Sequence, residues 1–198
     1  MAAHAIGDLA ITMILDAYET VLTANPRPDA RPRIEHCGIC TPEHLRRMKQ
    51  MGMLAIPQPS FIYELGDSYI ENFTAEQLAM AYPCRSWFDE GIIAAASSDV
   101  PVVSADPFVN IRSAVTRLTQ DGQTMGPNQG VTIEEAIRMF TINGAYASFE
   151  ESIKGSITEG KLADLVVLDR DPRMVKQEDL HTLQAELTMV DGRVVYEA

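Results

Sequence analysis

Ala2-Ala3-His4-Ala5-Ile6-Gly7-Asp8 opens the chain with a short apolar run that carries a histidine near its end and breaks at Gly7-Asp8. Arg33-Ile34-Glu35-His36 repeats the arrangement, and Ala96-Ser97-Ser98-Asp99-Val100-Pro101 closes another apolar run on an aspartate. Each run reads as a β-strand, and each ends on a side chain able to bind a divalent metal. Imidazole and carboxylate are donors that suit zinc. Three such ligands at successive strand ends are what a hydrolytic metal site is built from. The plain competitor is that a single histidine at a strand end is more often a hydrogen-bonded core residue than a ligand.

Between these strands the pattern turns helical. From Asp8, residues Leu9, Ile11, Ile14, Leu15, Tyr18 and Leu22 recur at three- and four-residue steps, and Asn25-Pro26-Arg27-Pro28 stops the run. Thr41-Pro42-Glu43-His44 predicts a helix start, with Thr41 as N-cap and Pro42 in the first turn. His44 is expected there as a solvent-exposed residue. Gly52 to Pro57 is wholly apolar and predicts a strand covered on both faces. A long segment from Pro57 to about Tyr82 predicts a lid or short helices. Arg85-Ser86-Trp87-Phe88 predicts a short helix capped at Glu90-Gly91, followed by a fourth buried strand over Ile92 to Ser97. A helix over Val109 to Gln120 follows, and Thr132-Ile133-Glu134-Glu135 has the form of a capping box opening another. Met48, Met51, Met53 and Met139 fall at core spacings.

The alternation of strand and helix through residue 150 argues for parallel βα units. After Gly155 the texture changes: Ala163 to Asp169 and Leu187 to Tyr196 are β-branched runs, the second interrupted by Asp191-Gly192. That dipeptide is a strong hairpin signal. The expected organisation is therefore an α/β unit over residues 1–152 and a small β module over 153–198.

Composition narrows the function. With 198 residues, 46% hydrophobic and 22% charged, the chain is an ordinary globular one. Its formal charge of -12 speaks against nucleic acid, which needs clustered Lys and Arg. No stretch is long enough to span a bilayer, and no signal-peptide pattern opens the chain, so a cytoplasmic protein is expected. Cys37 and Cys40 form a C-x-x-C that invites a redox or zinc-knuckle reading, but Cys84 alone supplies no second ligand pair. Ordinary reduced cysteines are the simpler expectation.

Five phrases in order resemble the C-terminal part of an amidohydrolase-superfamily enzyme, closest to amidohydrolase family 3, the deacylase- and deformylase-like branch. They are His4-Ala5-Ile6-Gly7-Asp8, Arg33-Ile34-Glu35-His36, Gln58-Pro59, Ser98-Asp99-Val100-Pro101 and Gly160-Lys161-Leu162-Ala163-Asp164-Leu165-Val166-Val167-Leu168-Asp169. The resemblance implies a (β/α)8 TIM-like barrel with a flanking β-sandwich and a metal at the C-terminal ends of the strands. His4 would end the fifth strand, His36 the sixth and Asp99 the eighth. The family's first-strand His-x-His and its carboxylated lysine or other bridging ligand have no counterpart here, since the only other histidines are His44 and His181. A full barrel takes about 250 residues. The chain thus reads as the C-terminal half of a barrel followed by part of a sandwich module.

By that resemblance, His4, His36 and Asp99 are the metal ligands, zinc the expected ion, and Asp99 the catalytic proton shuttle. Gln58, Arg85 and Arg117 are candidates for contact with a small amide-type substrate. Glu35 faces away from His36 by strand alternation and is expected to be structural. The implied reaction is hydrolysis of a non-peptide carbon–nitrogen bond. The alternative is an inactive remnant that binds or oligomerises: half a barrel leaves edges near strands five and eight, and exposed edges pair with other chains, here as a two-fold homo-oligomer.

Overall fold

The computed structural model describes residues 1–198. Three short parallel strands form its centre in the order β1 (Ala2–Ala5), β2 (Arg33–His36), β3 (Leu54–Ile56). The register sets Ala3 beside Ile34 and Ile34 beside Ala55, so all three strands end along one rim. Helix α1 (Asp8–Ala24) joins β1 to β2, and α2 (Pro42–Met51) joins β2 to β3. Ile11, Leu15 and Tyr18 of α1 and Leu45 and Met48 of α2 bury the apolar stripe that the sequence spacing predicts. They pack with Ala5, Ile34 and Ala55, and with Met53 and Met139, into the main core.

The expected lid segment folds as α3 (Ser60–Asn72) and α4 (Ala75–Ala79), and the short helix is α5 (Cys84–Glu90), closed by Gly91 at φ 72°. The fourth strand is reduced. Ile92–Ser97 runs beside β3 but forms one parallel bridge, Ala94 to Ala55, with Ala55 N donating to the Ile93 carbonyl and Ala95 N donating to the Ala55 carbonyl. Alanine at 94, 95 and 96 offers little side-chain surface to hold a longer ladder. Helices α6 (Pro107–Thr116), α7 (Ile133–Phe140) and α8 (Ile142–Ala147) complete this part, and the Thr132–Glu135 capping box forms as expected.

His44 corrects the sequence expectation: it is buried, 4% exposed. It is the third helical residue of α2 and closes a capping box with Thr41, its Nδ1 accepting from the Thr41 amide at 3.1 Å. Because Nδ1 accepts, the proton sits on Nε2, which donates to Thr12 Oγ1 at 2.8 Å; Thr12 in turn donates to the Asp8 carbonyl. A second proton on Nδ1 would break the cap, and burial already pushes the His44 pKa down. With the folded pKa below the unfolded value of about 6.5, the unfolded chain takes up the proton first. Stability is therefore full above that value and lost as pH falls through the folded pKa. The urea midpoint is expected to fall from pH 7 to pH 5. His44→Gln keeps the box without the titration and should flatten that slope, whereas an unchanged slope would refute the assignment.

The tail is an antiparallel sheet of β4 (Leu165–Leu168), β5 (Ala185–Val190) and β6 (Arg193–Glu197) in that order. Asp191 and Gly192 both take positive φ, 49° and 74°, the two-residue turn that their sequence predicts. No helix is long and apolar enough to cross a membrane.

Candidate functional site

His4 and His36 end adjacent parallel strands, yet strict alternation would not bring them together. In the ladder His4 stands beside Glu35, and His36 beside Ala5 on the other face. The backbone breaks the alternation. His36 and Cys37 both adopt left-handed φ, 70° and 53°, and the two imidazoles meet edge to face with centroids 4.3 Å apart. Left-handed backbone is uncommon for non-glycine residues and is held only where surroundings dictate it. Here the surroundings are a tight turn over residues 37–40. Cys37 N donates to the Ala5 carbonyl and Ile39 N to that of Ile6, while the Gly38 carbonyl accepts from Tyr82 N at 2.6 Å.

His36 is buried and His4 exposed. Burial pushes the His36 pKa down and neighbouring His4 adds to this; Gln58, Asp99 and Glu35 oppose it. Phe61 lies 5.8 Å from the His36 ring and Tyr82 stacks edge-on against Phe61, making an apolar wall behind the imidazole. Burial holds the Tyr82 phenol well above its ordinary value. Sequence reasoning missed this wall, because Phe61 and Tyr82 carry no motif. Asp99 is exposed, on backbone at φ 59°, within charge reach of His36 and Tyr82. Thus the rim collects His4, His36 and, more loosely, Asp99. No three His, Cys, Asp or Glu side chains are arranged to hold a metal ion. The donors in place fit such an ion in kind: two imidazoles side by side, one with a buried Nδ1 that lacks any partner. As a ligand set they are incomplete.

The remaining candidates sit elsewhere or are engaged. Gln58 is buried at the rim, but its amide nitrogen donates to the Ile56 carbonyl and to Ser97 Oγ. Arg85 is held by both oxygens of Glu135 and by Asp89, between α5 and α7 rather than against the histidines. Arg117 is wholly buried and donates to the carbonyls of Ala81, Tyr82 and Met125, which leaves it no access to a substrate. Glu35 contacts Arg33 at 2.7 Å as a charge pair. The redox reading of Cys37 and Cys40 fails on physical grounds. Both are fully buried, the helix opens at Pro42 rather than at a cysteine, and burial raises the Cys37 thiol well above its usual pKa. Two clefts of about 490 and 480 Å³ lie away from the rim, one at the N-terminal side of β2 and β3, the other between α8 and β4.

A strand–helix repeat with paired histidines at the C-terminal strand ends defines an α/β protein, and comparison with known proteins gives its family. The profile of the amidohydrolase family matches residues 1–196, and the chain belongs to that family. It is 37% identical over 199 residues to the N-substituted formamide deformylase of Arthrobacter pascens, covering all of this chain and 36% of that protein. It is 32% identical to the amidohydrolase YtcJ of Bacillus subtilis, over all of this chain and 37% of that protein. Among solved structures, an uncharacterized metal-dependent hydrolase from Pyrococcus horikoshii superposes with a TM-score of 0.76 at 30% identity, covering 89% of this chain and 35% of that one. The chain therefore spans about a third of the length of the relatives it matches.

Proposed function

We propose that this chain carries the His4, His36 and Asp99 side of a metal-dependent hydrolase site acting on non-peptide carbon–nitrogen bonds, such as N-formyl or N-acyl amides. The observation that carries the reading is the apposition of the His4 and His36 rings at neighbouring strand ends, sustained by left-handed backbone at His36 and Cys37. The deformylase named above, at 37% identity, supports the bond class. In this reading residues 1–152 form the C-terminal half of a (β/α)8 barrel and 153–198 a part of the flanking β module.

His4 and His36 would hold the ion, zinc by the preference of imidazole donors. A bound zinc supplies a water acidified towards pKa ~7 and a polarised carbonyl. The chain's own groups do the rest. Asp99, a carboxylate at the rim, takes a proton from water and returns it to the leaving nitrogen. Phe61 and Tyr82 keep water from the inner side of His36, so that its ring meets the solvent only towards the rim.

A second reading rests on the incomplete ligand set and on β1, whose outer edge pairs with no strand. Here the chain is a non-catalytic module that self-associates through that edge. Zinc titration of the purified, metal-stripped protein separates the two. The first reading expects one zinc per chain and at least a tenfold weaker site in His36→Ala. Folded protein that takes up no zinc and sediments as a dimer would replace it with the second.

A further inference from the structure

The two edges of the parallel sheet differ. On its outer side the segment Ile92–Ser97 is occupied: the Ala94 carbonyl accepts from Asn143 Nδ2 at 2.8 Å, and Ala96 N donates to the Met139 carbonyl at 3.0 Å. The edge expected to be open near the eighth strand is therefore closed by α7 and α8. At the other end of the order, β1 pairs with β2 alone. The carbonyls of Met1 and Ala5 accept from Arg33 N and Cys37 N on the β2 side. By alternation, the backbone N–H and C=O groups of Ala2 and His4 point outward, where no strand meets them.

The helix beside that edge is apolar on the same side. Ile11, Leu15 and Tyr18 of α1 face the sheet, while Thr12, Asp16 and Glu19 face α2, where they meet His44 and Arg47. With about 3.6 residues to a turn, the flank turned away from α2 falls to Leu9, Ala10, Met13, Ala17, Val21 and Ala24. Since α2 lies over β2 and β3, this flank adjoins the open edge of β1. All six are exposed, Leu9 by 69%, Met13 by 63% and Val21 by 44%, and no charged side chain interrupts them. A solvated helix flank ordinarily carries charge, and an unbroken apolar strip marks an interaction surface. We infer that this flank and the edge of β1 together form a two-fold contact with a second copy of the chain. Closure of the far edge bars head-to-tail joining of β1 to Ile92–Ser97, so one β1 can meet only another. Antiparallel pairing about Ala3 sets Ala2 across from His4 of the partner subunit, and each outward group finds its complement. The strip is symmetric about Leu15, so antiparallel helices set Leu9 on the partner subunit's Val21 and Met13 on the partner subunit's Ala17. The occupant is a copy because the face complements itself and is uncharged: in a chain of net charge -12, Asp8, Asp16 and Glu19 of α1 all lie off this flank.

The contact deepens the self-association named above and rests on it, not on the metal site. Sedimentation of the full chain over a range of concentrations is expected to show a monomer–dimer equilibrium. Met13→Glu and Ala17→Glu each bring added acids of both copies into the contact, and each should weaken the dimer by roughly tenfold or more. Ser68→Glu, which adds the same charge at an exposed position of α3, should leave the dimer unchanged. Both α1 positions are exposed, so the variants keep their fold, which an unchanged circular dichroism spectrum verifies. Amide exchange at Ala2 and His4 is expected to be slow in the wild-type dimer and fast in Met13→Glu. A dimer that neither α1 variant weakens, or whose Ala2 and His4 amides exchange freely, overturns the inference while self-association stands. A chain that stays monomeric at hundreds of micromolar removes both.

Discussion

Arg117→Met is expected to lower the stability of the folded chain by about 2–4 kcal/mol, read as a lower urea midpoint with an unchanged slope. The guanidinium is wholly enclosed and meets no carboxylate; three backbone carbonyls, of Ala81, Tyr82 and Met125, receive its protons at 2.7 to 2.9 Å. Burying the charge is expensive, as its pKa, lowered by desolvation to about 10, records. Methionine would recover that expense, which is why the loss falls short of the full worth of three charge-assisted bonds. What it cannot repair is the deficit it creates. The Tyr82 carbonyl still accepts from Cys84 N, but those of Ala81 and Met125 would be left buried without a donor, at about 1–3 kcal/mol each. The damage should reach the rim, because Tyr82 N donates to Gly38 and Cys40 N to Met80, so this strap supports the turn behind His36. A variant within 0.5 kcal/mol of wild type, taken as ~0 on the scale of ordinary surface changes, would show that Arg117 is dispensable.

Gly38→Ala is the second large effect. The requirement here is space rather than backbone freedom: a Cβ built on Gly38 lies 2.9 Å from the Ile6 carbonyl oxygen and 2.9 Å from Ile6 Cγ2. The side-chain contact can yield, whereas the carbonyl is fixed because it accepts from Ile39 N at 2.8 Å. Overpacking of this kind costs about 1–3 kcal/mol. Ile6→Ala should therefore rescue only part of the loss, a coupling that a double-mutant cycle measures. Full rescue would mean that the backbone contact carries no strain. Because the displaced turn holds His36 against His4, the His36 ring resonances are expected to shift even where the protein stays folded.

Much of the architecture was legible in the chain. The three- and four-residue spacing in α1 reports which face is buried, and Asp191-Gly192 reports a turn whose positive φ values few other pairs accept. The fourth strand was less legible: the apolar run Ile92–Ser97 predicts a ladder, but a row of alanines gives neighbouring strands little to grip. His44 misled because its neighbours are polar and charged; the signal that could have found it is Thr41 three residues earlier, the spacing of a capping box. Arg85 and Arg117 could not be sorted in advance, since their partners lie far away in sequence, Glu135 50 residues from Arg85 and Ala81 36 from Arg117.

For the site, the chain by itself determined that His4 and His36 stand at or next to strand ends, because the short stretches that carry them are each followed by a glycine, Gly7 and Gly38, that ends the strand. Only the tertiary structure decided that two of them face each other. Alternation along a strand is a local rule, and it sends His36 to the wrong face. The left-handed turn that returns it is imposed from outside the strand, by the backbone of Ile6 and Tyr82 closing on Gly38, contacts that exist only once residues far apart in sequence have packed.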